Sequence, residues 1–152
     1  WKGFDLEVLF QGAAGMSVNI LDNKNQVMAF VNNGNAYEIA KGAWAYYPEQ
    51  GIDTRATARY PRLTTQSNEN NYQTSSMWVK NADYLKLRNL ELGYNFTALK
   101  LQEAGIDNLR LYLSAQNLLT FSGLLKNYKM DPEKISGYPT IRSYNVGVSI
   151  TF

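Results

Sequence analysis

Hydrophobic and polar residues alternate along four separate stretches of the chain. The last stretch shows the pattern most clearly. Its apolar positions are Tyr144, Val146, Val148, Ile150 and Phe152, separated by small or polar residues. Alternation with a period of two is typical of a β-strand, because successive side chains point to opposite faces. The same pattern predicts strands near residues 2–12, 84–96, 108–121 and 141–152.

In the predicted strand 84–96, the apolar positions change parity between Leu87 and Leu90. A slip of one residue moves every later side chain to the opposite face of a sheet, so an extra residue is needed to keep the apolar set together. We therefore predict a β-bulge near Arg88 and Asn89. All four segments are about twice as long as the strands typical of soluble sheets.

The links between the predicted strands differ in length. Residues 97–108 form a short link, whereas residues 13–81 and 122–140 form long ones. Alternating short and long links are typical of an antiparallel barrel with turns at one end and loops at the other. Within the first long link, Tyr37 and Trp44 fall on one face at helical spacing before Pro48, which predicts a short helix over residues 37–47.

Composition narrows the classes of function. The 152 residues include no cysteine and no histidine, so the chain offers no disulfide, cysteine nucleophile, Ser-His-Asp triad or ordinary zinc site. Its 15 basic and 13 acidic residues are interspersed, without the basic stripe that nucleic acid binding needs. We expect no enzyme activity, no catalytic residues, no metal site, no cofactor and no nucleic acid partner.

Aromatic residues in the predicted loops are the candidates for contact with a ligand or partner, because their rings offer apolar area at low entropic cost. These residues are Trp44, Tyr46, Tyr47, Tyr72 and Trp78. Rings of this kind also occur as girdles at barrel rims whatever the substrate. Alternation alone leaves two settings open: strands with lipid on one side and a wet lumen on the other, or half-buried strands of a soluble sandwich.

The segment Leu6–Gly12 reads LEVLFQG, which looks like a viral protease site used to remove tags. That site usually continues with proline, whereas Ala13 follows here, and the alternation already begins at Phe4. We interpret the segment as part of a native strand.

Several blocks together resemble the C-terminal part of the barrel of SusC/RagA family TonB-dependent outer-membrane transporters. In chain order they are WKGFDLEVLFQG (1–12), YPRL (60–63), SSMWVKNADYLKLRNLELGY (75–94), NLLTF (117–121), DPE (131–133) and the segment 138–152. Single blocks are weak, but six in this order are specific. The resemblance is thinnest over residues 21–59.

The resemblance implies an all-β fold, an antiparallel transmembrane β-barrel fragment with about four C-terminal strands of a roughly 22-stranded barrel. Residues 1–152 would be the C-terminal segment of the receptor barrel. The long loops 13–81 and 122–140 would be extracellular, with a short loop helix, and residues 97–108 would be a periplasmic turn.

The resemblance also implies a function in the cell outer membrane: import of oligosaccharides or peptides with a SusD-like surface lipoprotein, energised by the TonB complex through parts outside this chain. Outer-membrane lipid and the barrel-assembly machinery would be further partners. The terminal strand resembles the signal read by that machinery, through Tyr144, Val146, Val148, Ile150 and Phe152. The alternative is a soluble all-β carbohydrate-binding module.

Overall fold

The computed structural model describes residues 2–96, 101, 103 and 105–152, and only the backbone of Asn25. The chain divides into two compact units. The sheet unit comprises Trp1–Ala14, Asp83–Ser122 and Pro139–Phe152. The loop unit comprises Gly15–Ala82 and Gly123–Tyr138.

Strands dominate the described residues. In chain order they are β1 (Phe4–Ala13), β2 (Ser17–Asn19), β3 (Tyr46–Tyr47), β4 (Ile52–Asp53), β5 (Val79–Asn81), β6 (Tyr84–Phe96), β7 (Asn108–Ser122) and β8 (Ser143–Thr151). Helical segments are the α-helices Lys24–Val27 and Gly123–Tyr128 and the 3-10 turns Ile20–Asp22, Val31–Asn33, Glu38–Gly42 and Pro48–Gln50. None of the described helices has the length and apolar character needed to cross a membrane.

The four long strands form one antiparallel sheet in the order β1-β6-β7-β8. These strands begin and end close to the positions that the alternation predicts. Both long links join strands at the same end of the sheet, where Ala13 pairs with Tyr84 and Tyr84 with Ser122. The turn predicted over residues 97–108 falls partly on residues outside those described.

The predicted bulge is confirmed. In the pairing of β1 with β6, Leu9 faces Asn89 and Phe10 faces Leu87, so Arg88 is the extra residue. The pairing of β6 with β7 shifts at the same place, next to Asn117, whose φ is +53°. Arg88 donates hydrogen bonds to Gln11 Oε1 (2.6 Å) and Asn117 Oδ1 (2.9 Å). Because of this extra residue, the apolar side chains before and after the parity change lie on the same face of the sheet.

Register gives the sheet two chemically distinct faces. One row, which runs across all four strands, consists of Leu6, Leu92, Leu113 and Val146. The adjacent row, on the opposite face, consists of Asp5, Gly93, Tyr112 and Gly147. Because side chains alternate between faces, the apolar positions of every long strand gather on one side and nearly all polar positions on the other.

The loop unit has a conventional buried core. Its most buried members are Ile20, Ala82, Leu124, Trp78 and Met130, each exposed by 2% or less. The small β2-β5 sheet brings Trp78 and Ile20 together, and the Ile20 amide donates to the Trp78 carbonyl at 3.0 Å. The long link over residues 13–81 therefore contributes to a folded core and is not an irregular loop.

The prediction of a helix over residues 37–47 is wrong. That stretch forms only the 3-10 turn Glu38–Gly42, and then enters β3. The carbonyl of Gly42 accepts hydrogen bonds from the amides of Arg59 (2.9 Å) and Tyr60 (3.1 Å), so it is not available to continue a helix. Gly42 also lies against the Tyr60 ring, where a Cβ would be only 2.9 Å from a ring carbon. Tertiary hydrogen bonds override the helical spacing.

Candidate functional site

The apolar face of the sheet is exposed in the described structure. Val146 is 80% exposed, Leu6 65% and Leu113 56%. A contiguous apolar surface of this extent marks a contact with a partner or with lipid, because water alone would make it costly to expose. This face is the first candidate functional surface.

Aromatic side chains cluster on this face at the end of the sheet opposite the long links. The rings of Phe4 and Tyr94 lie 4.6 Å apart, and those of Tyr94 and Phe96 meet edge-on at 4.6 Å. Aromatic belts of this kind lie at membrane interfaces, where the ring is apolar and a hydroxyl reaches water. The sequence alternation does not reveal the cluster, since it depends on the register between two strands.

The terminal strand carries the residues that resemble an assembly signal. Tyr144, Val146, Val148 and Ile150 lie on the apolar face of β8 and are exposed, as is the terminal Phe152. In the described sheet β8 is an edge strand, paired only with β7. An edge strand presents unpaired backbone donors and acceptors that can add another strand.

The polar face carries a charged cluster that joins three strands. The Arg110 guanidinium contacts the Asp5 carboxylate, with Nε 3.1 Å from Oδ2, and lies 2.7 Å from Glu91 Oε1. Asn95 donates a further bond of 2.8 Å to Asp5. The same guanidinium lies 5.2 Å from the centre of the Tyr112 ring. One cation thus satisfies two carboxylates and an aromatic face.

Two glycines make room for this cluster. A Cβ at Gly93 would lie 2.6 Å from Asp5 Oδ2 and against the Arg110 guanidinium. Gly147 lies directly beneath the Tyr112 ring, in register with it. A side chain at either glycine would displace the cluster, which explains glycine in mid-strand positions where it is otherwise unfavourable.

Three of the predicted loop aromatics lie together on a hairpin of the loop unit. Trp44, Tyr46 and Tyr47 are 37–42% exposed, and β3 pairs with β4. The Arg55 guanidinium lies 3.8 Å above the Tyr46 ring, and Arg62 donates to the Tyr47 hydroxyl at 3.3 Å. An arginine therefore contacts each of the Tyr46 and Tyr47 rings.

The Thr54 hydroxyl holds this hairpin in shape. Its Oγ1 accepts from the Ala45 amide at 2.7 Å and donates to the Ala43 carbonyl at 2.9 Å. Next to it, Asp53 forms an ion pair of 2.8 Å with Arg55. Hydrogen bonding from Arg55 holds the pKa of the Asp53 carboxyl below its usual value. A preorganised surface loses little conformational entropy when it binds.

The remaining two predicted aromatics have a different setting. Trp78 is 1% exposed, its indole N–H donates to the Asn71 carbonyl at 2.9 Å, and its ring lies between those of Tyr60 and Tyr72. Trp78 is thus a core residue of the loop unit, which removes it from the surface that a ligand could contact. Tyr72 is half-buried against Trp78.

Neither the alternation nor the composition points to the charged cluster on the polar face, because its members lie far apart in the chain and meet only through register. Glycines in mid-strand, at Gly93 and Gly147, were the one available signal, since they mark close approach. Among the described residues no group of histidine, cysteine or carboxylate side chains is arranged to hold a metal ion.

Comparison with known proteins shows relatives over the whole chain. It is 27% identical, over an alignment of 166 positions, to the TonB-dependent receptor P3 of Formosa agariphila, and 26% identical to the TonB-dependent receptor P26 of the same organism. All of this chain is covered, but it spans only 15% and 16% of those proteins. No protein family model matches the chain.

Solved structures agree with these relatives. The chain matches the RagAB peptide transporter with a TM-score of 0.69 and 27% identity, and the RagAB peptide importer in its closed-closed state with 0.68 and 26%. The whole chain and 16% of each matched chain are covered. Together with the two-faced sheet, these likenesses support the resemblance of the chain to SusC/RagA-like TonB-dependent transporters.

Proposed function

We propose that this chain forms part of the wall of an outer-membrane TonB-dependent transporter that imports peptides or oligosaccharides. One observation carries the proposal: a four-stranded sheet whose apolar face is exposed and whose other face is polar. A soluble sandwich would bury that apolar face against a second sheet. In a barrel wall, the same face meets lipid acyl chains.

The physical chemistry of a membrane favours this arrangement. Lipid offers no hydrogen bonds, so the backbone of each strand must pair with its neighbours, as β1, β6, β7 and β8 do. The charged cluster around Arg110 lies on the opposite face, toward a watery interior. The aromatic cluster of Phe4, Tyr94 and Phe96 would lie at the periplasmic interface.

The two long links would then both be extracellular, where a substrate and a SusD-like lipoprotein would be met. Their common attachment at one end of the sheet supports this orientation. The exposed hairpin aromatics Trp44, Tyr46 and Tyr47 would supply contact area for either. Peptides are supported by the matched structures, which are named as a peptide importer and a peptide transporter.

Two further partners follow from the same proposal. The TonB complex would act through parts of the transporter outside this chain. The barrel-assembly machinery would engage β8, whose outer edge has no partner strand in the described sheet. Its apolar face, ending in Phe152, would meet lipid as the strand inserts.

The test uses the protein as it occurs in the outer membrane, with a spin label on a single introduced cysteine. The chain itself has no cysteine, so it contributes no background label. Val146→Cys lies on the apolar face, and Asn145→Cys, one residue earlier, lies on the polar face. We expect the label at position 146 to collide with oxygen and be shielded from a water-soluble nickel chelate, and the label at 145 to show the reverse.

Access of the nickel chelate to both labels would contradict lipid contact and favour the soluble carbohydrate-binding module. Shielding of both labels from both reagents would mean that protein covers the apolar face. Either result would remove the barrel wall as the function of this sheet.

A further inference from the structure

A cleft of about 590 Å³ opens on the surface of the loop unit, and no predicted site residue lies in it. Its walls include Phe30, Tyr37, Glu38, Lys41 and Leu63. The size falls within the range of clefts that hold small ligands. Leu63 also borders a second cleft of about 740 Å³, which is lined by the polar run of residues 64–69.

Phe30 forms one wall in an unusual backbone conformation. Its φ is +66°, a left-handed value that is a genuine outlier for a bulky side chain. Such strain persists only where surrounding structure enforces it, and it is concentrated at binding and active sites. Here Ala29 is buried, and the Asn32 amide donates to the Thr65 carbonyl at 3.3 Å, which ties the turn to the segment after Leu63.

The strain does not serve the core, because the Phe30 ring remains 44% exposed. Tyr37 is exposed to the same degree, at 45%. Between them lies an apolar floor that includes Leu63. Two exposed rings around a concave apolar floor suit an apolar side chain better than open water.

The rim carries one charge of each sign. Glu38 and Lys41 both lie on the 3-10 turn Glu38–Gly42, which Ile39 anchors against the core. Both side chains are exposed, and neither forms an ion pair with another residue in the part of the chain that is described. The carboxylate and the ammonium are thus available to a ligand.

We propose that this cleft binds short peptides with free termini and an apolar side chain. Phe30, Tyr37 and Leu63 would contact the side chain, Glu38 the terminal ammonium and Lys41 the terminal carboxylate. A neutral glycan carries neither charge and an acidic glycan only one, so charge complementarity favours a zwitterionic peptide. The inference rests on the proposed function, in which the loop unit meets the imported substrate.

The test measures binding to the detergent-solubilised protein from the outer membrane by calorimetry. The probes are the peptide Ala-Phe-Ala with free termini, the same peptide acetylated and amidated, and maltoheptaose. Phe30→Gly removes the ring and relieves the left-handed strain, so the loop unit should fold at least as well. We expect it to weaken binding of the free peptide by about tenfold.

Substitutions at Glu38 and Lys41 test the two charge contacts, and a substitution at Tyr138 is the control. Glu38→Gln and Lys41→Gln should each weaken the free peptide by about threefold and leave the capped peptide unchanged. Tyr138→Ala removes another exposed ring of the loop unit, outside the cleft, and should change nothing.

Three results would overturn the inference. The free peptide does not bind, it binds the Phe30→Gly protein as tightly as the unchanged protein, or the Phe30→Gly substitution weakens binding of maltoheptaose and not of the peptide. If the label at position 146 still reports lipid, these results would reject the peptide cleft and leave the transporter function standing. A water-exposed label would instead reject the transporter function.

Discussion

The two units of this chain are built for opposite surroundings. In the sheet unit, large apolar side chains such as Val146 and Phe121 are 80% and 59% exposed. In the loop unit, Ile20, Trp78 and Leu124 are at most 1% exposed. The same residue types therefore point outward in one unit and inward in the other.

The two units are therefore stabilised by different interactions. The loop unit gains from burial of apolar area away from water, as soluble domains do. The described sheet has no comparable core. It is stabilised by the backbone hydrogen bonds between its strands, the bulge at Arg88 and the charged cluster at Arg110. Substitutions in the core should therefore disturb the loop unit, and substitutions on the polar face the sheet unit.

The largest effect is expected from Trp78→Ala. Deleting a buried aromatic leaves a cavity and costs about 3–5 kcal/mol, and here it also removes the stacking partner of Tyr60 and Tyr72. Hydrogen exchange measured by mass spectrometry should show faster exchange across β2 and β5 and at the Ile20 amide that follows β2. Exchange in β6 and β7 should stay unchanged.

Trp44→Ala is the matched control, because Trp44 is exposed and lies outside the core. It should leave exchange in β2 and β5 as it is. Equal effects of the two substitutions, or a loss of protection in β6 and β7 after Trp78→Ala, would break the distinction between the units.

A smaller effect is expected from Gly93→Ala on the polar face of the sheet. The new Cβ would press on Asp5 and Arg110, and overpacking of this kind costs about 1–3 kcal/mol. The urea midpoint of the membrane protein should fall. Gly123→Ala is the control, since a Cβ there meets nothing within 4 Å.

A double-mutant cycle separates the cluster from backbone effects. If Gly93→Ala acts by displacing the ion pair, its cost should shrink in an Asp5→Ser background, because the two changes disturb the same contacts. Full additivity of the two substitutions would show that the cluster is not the reason for glycine at this position.

Period-two alternation predicts the four long strands well, because each has a consistently apolar side that must be separated from its polar side. The bulge was predictable for the same reason, from the parity change after Leu87. The helix over residues 37–47 was not, because the hydrogen bonds from Arg59 and Tyr60 to Gly42 come from a distant part of the chain.

The candidate sites were less accessible to sequence reasoning. Exposed rings at Trp44, Tyr46 and Tyr47 were identified, yet Trp78 looked the same in sequence and lies in the core. Residue type alone does not distinguish an aromatic that packs inward from one that faces solvent. The left-handed φ of Phe30 has no sequence signal, since bulky residues rarely adopt it.

The smallest effect is expected in the stability of the loop unit at alkaline pH. Burial, together with the neighbouring Tyr128 hydroxyl, raises the pKa of Tyr60 above its ordinary value of about 10. The unfolded chain therefore loses this proton at lower pH than the folded loop unit does. The contribution of Tyr60 is complete below about pH 10 and falls as the pH rises above it. Urea unfolding followed by Trp78 fluorescence, with Trp1 and Trp44 both replaced by Phe, should show a lower midpoint at about pH 11 than at about pH 8. Tyr60→Phe should reduce that difference, whereas Tyr138→Phe, at a residue that is 77% exposed, should leave it unchanged. An equal pH dependence with and without the Tyr60 hydroxyl would assign the alkaline loss of stability to other groups.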